Sequence, residues 1–281
     1  MRQSLLLATL MVVATHAAAQ PAPTGDAEFR ARRDSLVARL PAEAVLVAFG
    51  ERDEIGFPAF YQSPNFRYLT GLAEPNAILL LVHRSGAEGM LFRQARSPSE
   101  ILFNGPLEDP ASVTQRTGLA VRALQQFTGV VDSLIAAGRP IYFVHDTRSY
   151  GGVIDSLTRA VAFVGALRRR SPAPEVRWAD STILALRAKK TDGELALIRE
   201  SARITSESVN DAIRGIRPGQ HEYSVQAAIE SGFRARGGDT HTGFATNVSA
   251  GENSTTAHHR AGDAPLEAGK LVLMDVGAAY Q

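Results

Sequence analysis

Cysteine is absent from this sequence of 281 residues, and its absence excludes several chemistries at once. The chain can form no disulfide, no thiolate metal site and no cysteine nucleophile, and it has no cysteine to carry a lipid anchor. Packing must therefore stabilise the fold. A cysteine-free chain of this size suits a bacterial periplasm or the extracellular medium, and composition does not choose between them.

A net charge of one sign is missing as well, because 30 Lys and Arg residues balance 29 Asp and Glu residues. No field is strong enough to attract nucleic acid or an anionic membrane, so neither is predicted as a partner. With 44% hydrophobic and 21% charged residues the composition is ordinarily globular. The length allows two hydrophobic cores, which predicts two domains.

A hydrophobic run long enough to span a bilayer is the third absence. The apolar run from Leu5 to Val13 follows Arg2 and is too short for a transmembrane helix. Ala17 to Ala19 then offer a small-residue cleavage site. This order predicts an export signal over residues 1–19 and a periplasmic or secreted chain with no membrane span after cleavage; a buried N-terminal helix is the alternative.

Short β-branched runs and helical patterns share the first half of the chain. Strands of one sheet are predicted at Val45–Phe49, Ala77–Val82, Met90–Phe92 and Ile141–Val144. Helices are predicted at Glu28–Leu40, Val113–Phe127 and Val153–Leu167. This half is therefore α/β, and the stiff polar stretch Ser171–Pro174 predicts a domain boundary.

The second half begins with a strong local signal. Thr191 and Glu194 form a capping-box pair in front of a long amphipathic helix that Pro218 and Gly219 stop. A second helical pattern covers Val225–Phe233, and the chain looks β-rich from Thr242 onward. Leu271–Met274 is predicted to be a buried strand that ends at Asp275.

Asp275, His258 and His241 are the candidate site residues. A carboxylate at the end of an apolar strand is costly unless it meets a cation or several donors, although a turn or helix cap would also explain Asp275. His258 and His259 are adjacent, so on a strand at most one of them would face a given pocket; two surface histidines are the alternative. His241 would line the same pocket if Thr242–Val248 pairs with the strand leading to Asp275; otherwise it is an exposed loop residue.

Other catalytic chemistries find little support. Ser254, Thr255 and Thr256 lie near His258, but a nucleophile-elbow pattern is missing, so a hydroxyl nucleophile is discounted. The sequence also has no phosphate-binding glycine motif, no H-E-x-x-H and no paired aromatic and basic stripe.

Several segments jointly resemble one family. They are the stretch from Arg32 and Arg33 to Leu40, the run Phe66–Gly71 that includes Tyr68, Lys190 with Glu194, Arg217–Gly219, Gly251–Ser254 with His258 five positions after Asn253, and Leu271–Gly277. Together they resemble the Xaa-Pro aminopeptidase and prolidase branch of the creatinase and methionine-aminopeptidase superfamily. The resemblance implies an N-terminal creatinase-like, RNase H-like α/β domain at 27–175. It also implies the first part of an α+β pita-bread catalytic domain at 185–281.

The resemblance also implies a reaction. Two divalent metal ions bridged by carboxylates would activate a water to attack a peptide bond that precedes proline. The metals would be manganese in the first place, with cobalt or zinc as alternatives. Asp275 would be the first metal ligand, His258 a catalytic histidine near the scissile carbonyl and His241 a substrate-side histidine. Peptides with proline second are the implied substrates, and a homodimer is the implied assembly.

The chain also departs from the family pattern. The family's second aspartate would fall eleven positions after Asp275, beyond Gln281, and its metal-binding histidine and two glutamates would follow later. We therefore expect the given chain to be a C-terminally truncated, inactive fragment of an enzyme. His259 stands where the family usually has an aromatic residue. A prolidase-like Xaa-Pro dipeptidase and a non-catalytic binding module of the same fold remain as alternatives.

Overall fold

A computed structural model of the chain describes residues 25–52, 60–84, 86–145, 158–170 and 172–281. The predicted export signal at 1–19 lies outside the described residues. The described residues divide into two compact units, of which the first ends at Leu195 and the second runs from Ala196 to Gln281. Residues 176–195 thus lie with the first unit; the predicted limits of 27–175 and 185–281 stay predictions.

The first unit is built on a six-stranded mixed sheet. Its strands are β1 (Val45–Phe49), β2 (Ile78–His83), β3 (Ala87–Arg93), β4 (Ala120–Ala123), β5 (Ile141–Phe143) and β6 (Val176–Trp178). They lie in the order β4-β3-β2-β1-β5-β6. The pairs β1–β2 and β2–β3 are antiparallel, and the pairs β1–β5, β3–β4 and β5–β6 are parallel. The four predicted strands and the predicted α/β class are confirmed.

Helices cover both faces of this sheet. They are α1 (Asp26–Val37), α2 (Pro64–Thr70), α3 (Pro98–Asn104), α4 (Pro110–Thr117), α5 (Phe127–Ala136), α6 (Arg159–Arg168) and α7 (Asp180–Ala188). Every residue of β1 is buried, because alternate side chains enter two separate cores. Leu46 and Ala48 pack with residues of α1, α2 and α7, whereas Val47 and Phe49 pack with residues of α5 and α6.

One predicted helix, Val113–Phe127, is wrong. The structure splits this segment into the end of α4, strand β4, a 3-10 turn at Leu124–Gln126 and the start of α5. Gly118 ends α4 in the left-handed conformation, at a φ of 74°. The residues after it then pair in parallel with β3, so tertiary pairing overrides the helical pattern.

Arg33 and Arg32 turn out to be packing residues of the first unit. Arg33 is buried and donates to the carbonyl oxygens of Leu69 and Thr117. Burial lowers the pKa of Arg33 to about 10. The Arg32 guanidinium lies 4.3 Å from the centroid of the Tyr68 ring. These contacts fix the Tyr68–Gly71 run against α1.

An aromatic pair lies at the end of β6. The ring of His145 stacks on Trp178, with centroids 3.7 Å apart and an interplanar angle of 12°. Asp180 holds the edge of the imidazole, with its Oδ2 2.8 Å from Nδ1 of His145. The other carboxylate oxygen, Oδ1, accepts the backbone N–H of His145 at 2.9 Å. Asp180 therefore fixes the His145 side of the stack, and Trp178 is held by the pairing of β6 with β5.

The second unit combines two helices with a two-stranded sheet. Helix α8 (Asp192–Gly215) begins in the first unit, and α9 (Glu222–Ala235), β7 (Asn247–Ala250) and β8 (Val272–Asp275) follow. The predicted capping box is confirmed: Thr191 Oγ1 accepts the Glu194 N–H at 3.1 Å, and Glu194 Oε2 accepts the Thr191 N–H at 2.9 Å. No helix in the described part of the chain is both long and apolar enough to span a membrane.

Helices α8 and α9 pack closely around small residues. A Cβ at Gly232 of α9 would lie 2.8 Å from the side chain of Ser208 on α8, so this position has no room for a larger residue. Ile204 of α8 and Ile229 and Phe233 of α9 are buried beside Val248 of β7. The helix pair therefore supports one face of the two-stranded sheet.

Candidate catalytic site in the second unit

Strands β7 and β8 bring the candidate metal ligand beside a buried asparagine. The strands are antiparallel, and Asp275 is paired with Asn247. Residues paired in this way project from the same face of a sheet. Farther along, Thr242 forms an isolated bridge with Ala278. The pairing expected for Thr242–Val248 is thus present at its two ends, whereas residues 243–246 form no strand.

The chain just beyond Asp275 is anchored to α8. Ser201 Oγ donates to the carbonyl oxygen of Ala278 at 2.7 Å, and Thr205 Oγ1 accepts the Ala278 N–H at 2.9 Å. At Gly277 a Cβ would lie 2.7 Å from the ring of Phe244, which rests on the glycine backbone. These contacts hold the end of β8 in place.

The predicted strand is confirmed at Val272–Asp275, but the expectation that it is buried is wrong. Leu271 is 80% exposed and Leu273 37% exposed, whereas Val272 and Met274 are half-buried against the helix pair. Alternate residues of β8 therefore differ: Val272 and Met274 face the helix pair, and Leu273 lies on the open face. Asp275 lies on the open face and is exposed.

His258 follows a short 3-10 turn, Gly251–Thr255, rather than a strand. Asn247 Nδ2 donates to the carbonyl oxygen of Ala257 at 2.9 Å. Asn247 therefore contacts the residue before His258 and also pairs with Asp275. Asn247 thus links the residue before His258 to the strand position beside Asp275, and the His258 side chain is exposed.

His259 has different surroundings from His258. Its Nε2 lies 2.8 Å from Oε2 of Glu222, whose side chain is fully buried. The description of both histidines as surface residues therefore fails for His259. The two imidazoles diverge because the chain turns at this point: the His259 N–H donates to the carbonyl oxygen of Thr256.

Glu222 lies at the start of α9 and binds four groups of the surrounding loop. Oε1 accepts the Ala250 N–H at 2.7 Å and Nδ2 of Asn253 at 3.0 Å. Oε2 accepts the Gly262 N–H at 2.9 Å in addition to His259. One carboxylate thus holds both ends of the loop from residue 250 to residue 262.

The pKa of Glu222 is strongly shifted. Burial opposes ionisation, but hydrogen bonds from Asn253, Gly262, His259 and Ala250 outweigh it and lower the pKa to about 2. The carboxyl is therefore ionised at neutral pH, which suits an acceptor of four hydrogen bonds. Its placement at a helix N-terminus favours the negative charge further.

The hydroxyl groups of the turn are occupied locally. Ser254 Oγ donates to the carbonyl oxygen of Gly251 at 2.6 Å, and Thr255 Oγ1 donates to that of Glu252 at 2.8 Å. Both hydroxyls cap their own turn rather than contacting an imidazole. This agrees with discounting a hydroxyl nucleophile.

The residues present do not fit a two-metal site by themselves. In the described ranges no three or more His, Asp or Glu side chains form a group that could hold a metal ion. Asp275 supplies one carboxylate, and Glu222 is committed to its four donors. A pair of metal ions needs more ligands than these, so we derive no catalytic step through a metal.

Glu222 is the site residue that the sequence did not reveal. Its partners lie 28 to 40 positions farther along the chain, beyond the reach of any local pattern. The available signal was indirect: a glutamate follows the turn Arg217–Gly219, and a histidine stands at position 259, where the family resemblance implies an aromatic residue. Neither feature predicts that the two side chains meet.

Two family models match the chain in sequence order. Residues 29–142 match the aminopeptidase P N-terminal domain, and residues 196–281 match metallopeptidase family M24. The chain belongs to metallopeptidase family M24. Its similarity to Xaa-Pro aminopeptidases across both regions places it in that branch of the family, as the resemblance implied.

Individual M24 relatives cover both units. The chain is 26% identical to the Xaa-Pro aminopeptidases of Haemophilus influenzae and Escherichia coli, over 90% of this chain and 57% and 59% of those enzymes. A solved structure from Bacillus anthracis, assigned as an aminopeptidase P, superposes with a TM-score of 0.82 at 25% identity. The match covers 91% of this chain and 62% of that one. The fold is therefore an aminopeptidase P N-terminal domain with part of a pita-bread domain, and the chain spans somewhat more than half of these relatives.

Proposed function

We propose that the protein containing this chain is a metal-dependent Xaa-Pro aminopeptidase, which removes the residue before a proline in second position. One observation carries the proposal: Asn247 pairs with Asp275 and hydrogen-bonds the residue before His258. The similarity to Xaa-Pro aminopeptidases over 90% of the chain supports the same activity.

In this proposal the two exposed groups have separate roles. Asp275 contributes a carboxylate to the metal site of the full-length protein. His258 donates a hydrogen bond to the carbonyl of the scissile peptide, where negative charge develops during attack. A single donor of this kind typically contributes about 100- to 1000-fold in kcat. His241, half-buried near the Thr242–Ala278 bridge, would lie on the substrate side.

The proposal also covers the bound metal, the cellular location and the oligomeric state. Oxygen and imidazole ligands suit manganese, with cobalt or zinc as alternatives. The apolar run behind Arg2 and the absence of cysteine support export to the periplasm or medium. A homodimer is proposed by similarity to the family.

The test is a peptidase assay on the full-length natural protein. It would be offered an Xaa-Pro dipeptide and longer Xaa-Pro peptides, after EDTA treatment and after addition of manganese, cobalt or zinc. We expect cleavage of the longer peptides, loss with EDTA and best recovery with manganese. Asp275→Asn should lower kcat by more than about 100-fold and reduce the bound metal, because losing a metal ligand costs more than the roughly 10- to 100-fold typical of outer-shell partners. Asp263→Asn, at an exposed aspartate, is the matched control.

Two results would contradict the proposal. Cleavage of dipeptides alone would indicate a prolidase-like dipeptidase. No cleavage of any Xaa-Pro peptide and no bound divalent metal would indicate a non-catalytic binding module of the same fold. Mass spectrometry of the natural protein would show whether Gln281 is followed by further acidic and histidine residues.

A further inference from the structure

The segment around His258 is held on both sides, although the His258 side chain is exposed. Its neighbour Ala257 is tied to Asn247 through its carbonyl oxygen. Its other neighbour, His259, is tied to Glu222 through Nε2. His258 itself has no side-chain hydrogen bond to any of the described residues. The backbone of His258 is thus fixed while its imidazole stays available.

Glu222 is a rigid reference point for this arrangement. It belongs to the first turn of α9, a helix of 14 residues whose Val225, Ile229 and Phe233 are buried in the core. The backbone around it also pairs with the loop, because the Glu222 N–H donates to Ala264 and the Tyr223 N–H donates to Gly262. The loop therefore takes its position from the helix.

We propose that the Glu222–His259 pair is a positioning element that sets the place of His258 relative to Asp275. His259 contributes through a side-chain donor, which distinguishes it from a residue that only fills space. The inference rests on the proposed function, because it assigns His258 a role on the substrate. It adds two residues, Glu222 and His259, that act through His258 and do not touch the substrate.

The catalytic rate depends on where the imidazole of His258 lies. A misplacement of about 1 Å in a catalytic group can cost on the order of 100-fold in rate. The bonds at Ala257 and His259 hold both ends of this three-residue stretch. Replacing His259 by Phe keeps a ring of similar size and removes the donor, whereas Gln keeps a donor at a similar distance from the backbone. The two variants therefore separate positioning from packing.

The experiment is a double-mutant cycle in the full-length protein, with kcat and KM measured on a longer Xaa-Pro peptide. His259→Phe should lower kcat by about 10- to 100-fold with KM nearly unchanged, and His259→Gln should recover most of the loss. In a His258→Ala background, His259→Phe should have little further effect, because the group it positions is gone. Independent effects of the two substitutions, or equal losses for Phe and Gln, would overturn the inference.

A spectroscopic measurement separates this inference from the proposed function. The imidazole signals of His258 can be followed by 1H–15N NMR in the absence of substrate, in the wild type, His259→Phe, His259→Gln and Glu222→Gln. One narrow set of signals is expected for wild type and His259→Gln, with altered or exchange-broadened signals for the other two. Unchanged His258 signals in folded His259→Phe or Glu222→Gln protein would overturn the positioning role, whether or not the protein cleaves Xaa-Pro peptides. Thermal unfolding identifies any variant that does not fold.

Discussion

Strand β1 of the six-stranded sheet is buried at every residue, whereas in the two-stranded sheet only β7 is buried throughout and β8 is open on alternate residues. In the first case apolar side chains from two layers of helices cover the strand. In the second, a loop held by Glu222 covers the polar side chains of β7. The first region therefore depends on hydrophobic packing on both faces, whereas the second has a hydrophobic core on one face and a hydrogen-bonded carboxylate on the other.

The largest expected effect comes from removing packing in the first region. Phe143 is fully buried and lies among the rings of Phe49, Phe163 and Trp178. Phe143→Ala should cost about 3 to 5 kcal/mol of unfolding free energy because it leaves a cavity. Phe103→Ala is the matched control, since this ring is 76% exposed, and should change stability by less than about 0.5 kcal/mol. Urea unfolding measures both; similar losses would contradict the packing description.

The second prediction is that Glu222 loses its stabilising contribution at low pH. Because its pKa is lowered from 4.5 to about 2 in the folded state, its contribution is complete above pH 4.5 and is lost as the pH falls toward 2. The contribution is on the order of 3 kcal/mol. Hydrogen-exchange protection of the Ala250 and Gly262 amides, normalised for intrinsic rates, should fall across this pH range.

Two variants test that prediction. Glu222→Gln should lower the protection of both amides already at pH 7 and remove most of its pH dependence. Glu267→Gln, at an exposed glutamate, should leave the acid response as in the wild type. If the protection of these amides still falls at low pH in Glu222→Gln, another group causes the fall. That result would weaken the contrast between the two regions.

The smallest effect is expected at Gly277. A Cβ there meets the ring of Phe244, but this ring is 49% exposed and can move aside, so Gly277→Ala should cost only about 1 kcal/mol. Gly215→Ala is the control, because nothing lies near its Cβ position at the end of α8; it should stabilise by about 0.5 kcal/mol. The melting temperature should fall for Gly277→Ala and rise for Gly215→Ala. A shift in the same direction for both variants would refute the steric argument.

Local signals made much of this architecture predictable from the sequence. The capping box at Thr191 and Glu194 depends on residues three apart, and the strand at Val45–Phe49 is an apolar run between breakers. Prediction failed where distant residues decide the outcome. Strand β4 forms because its backbone pairs with the edge of β3. Strand β8 exposes Leu273 because only one of its faces packs against the helix pair.

The candidate site likewise contains residues that the sequence indicated and residues that only the fold revealed. Asp275 and His258 could be proposed from the family resemblance, and their relation to Asn247 required the register of β7 and β8. The role of Glu222 depends on four groups brought together by the fold, so no spacing rule could indicate it. His241 and the metal assignment to Asp275 stay predictions.

The stack of Trp178 on His145 gives the first unit an optical label of its own. Trp178 is the single tryptophan in the sequence, and residues 196–281 contain none. Indole emission in this chain therefore reports on the edge of the six-stranded sheet alone. A fluorescence change that precedes or follows loss of helical circular dichroism would separate the unfolding of the two units without any introduced probe.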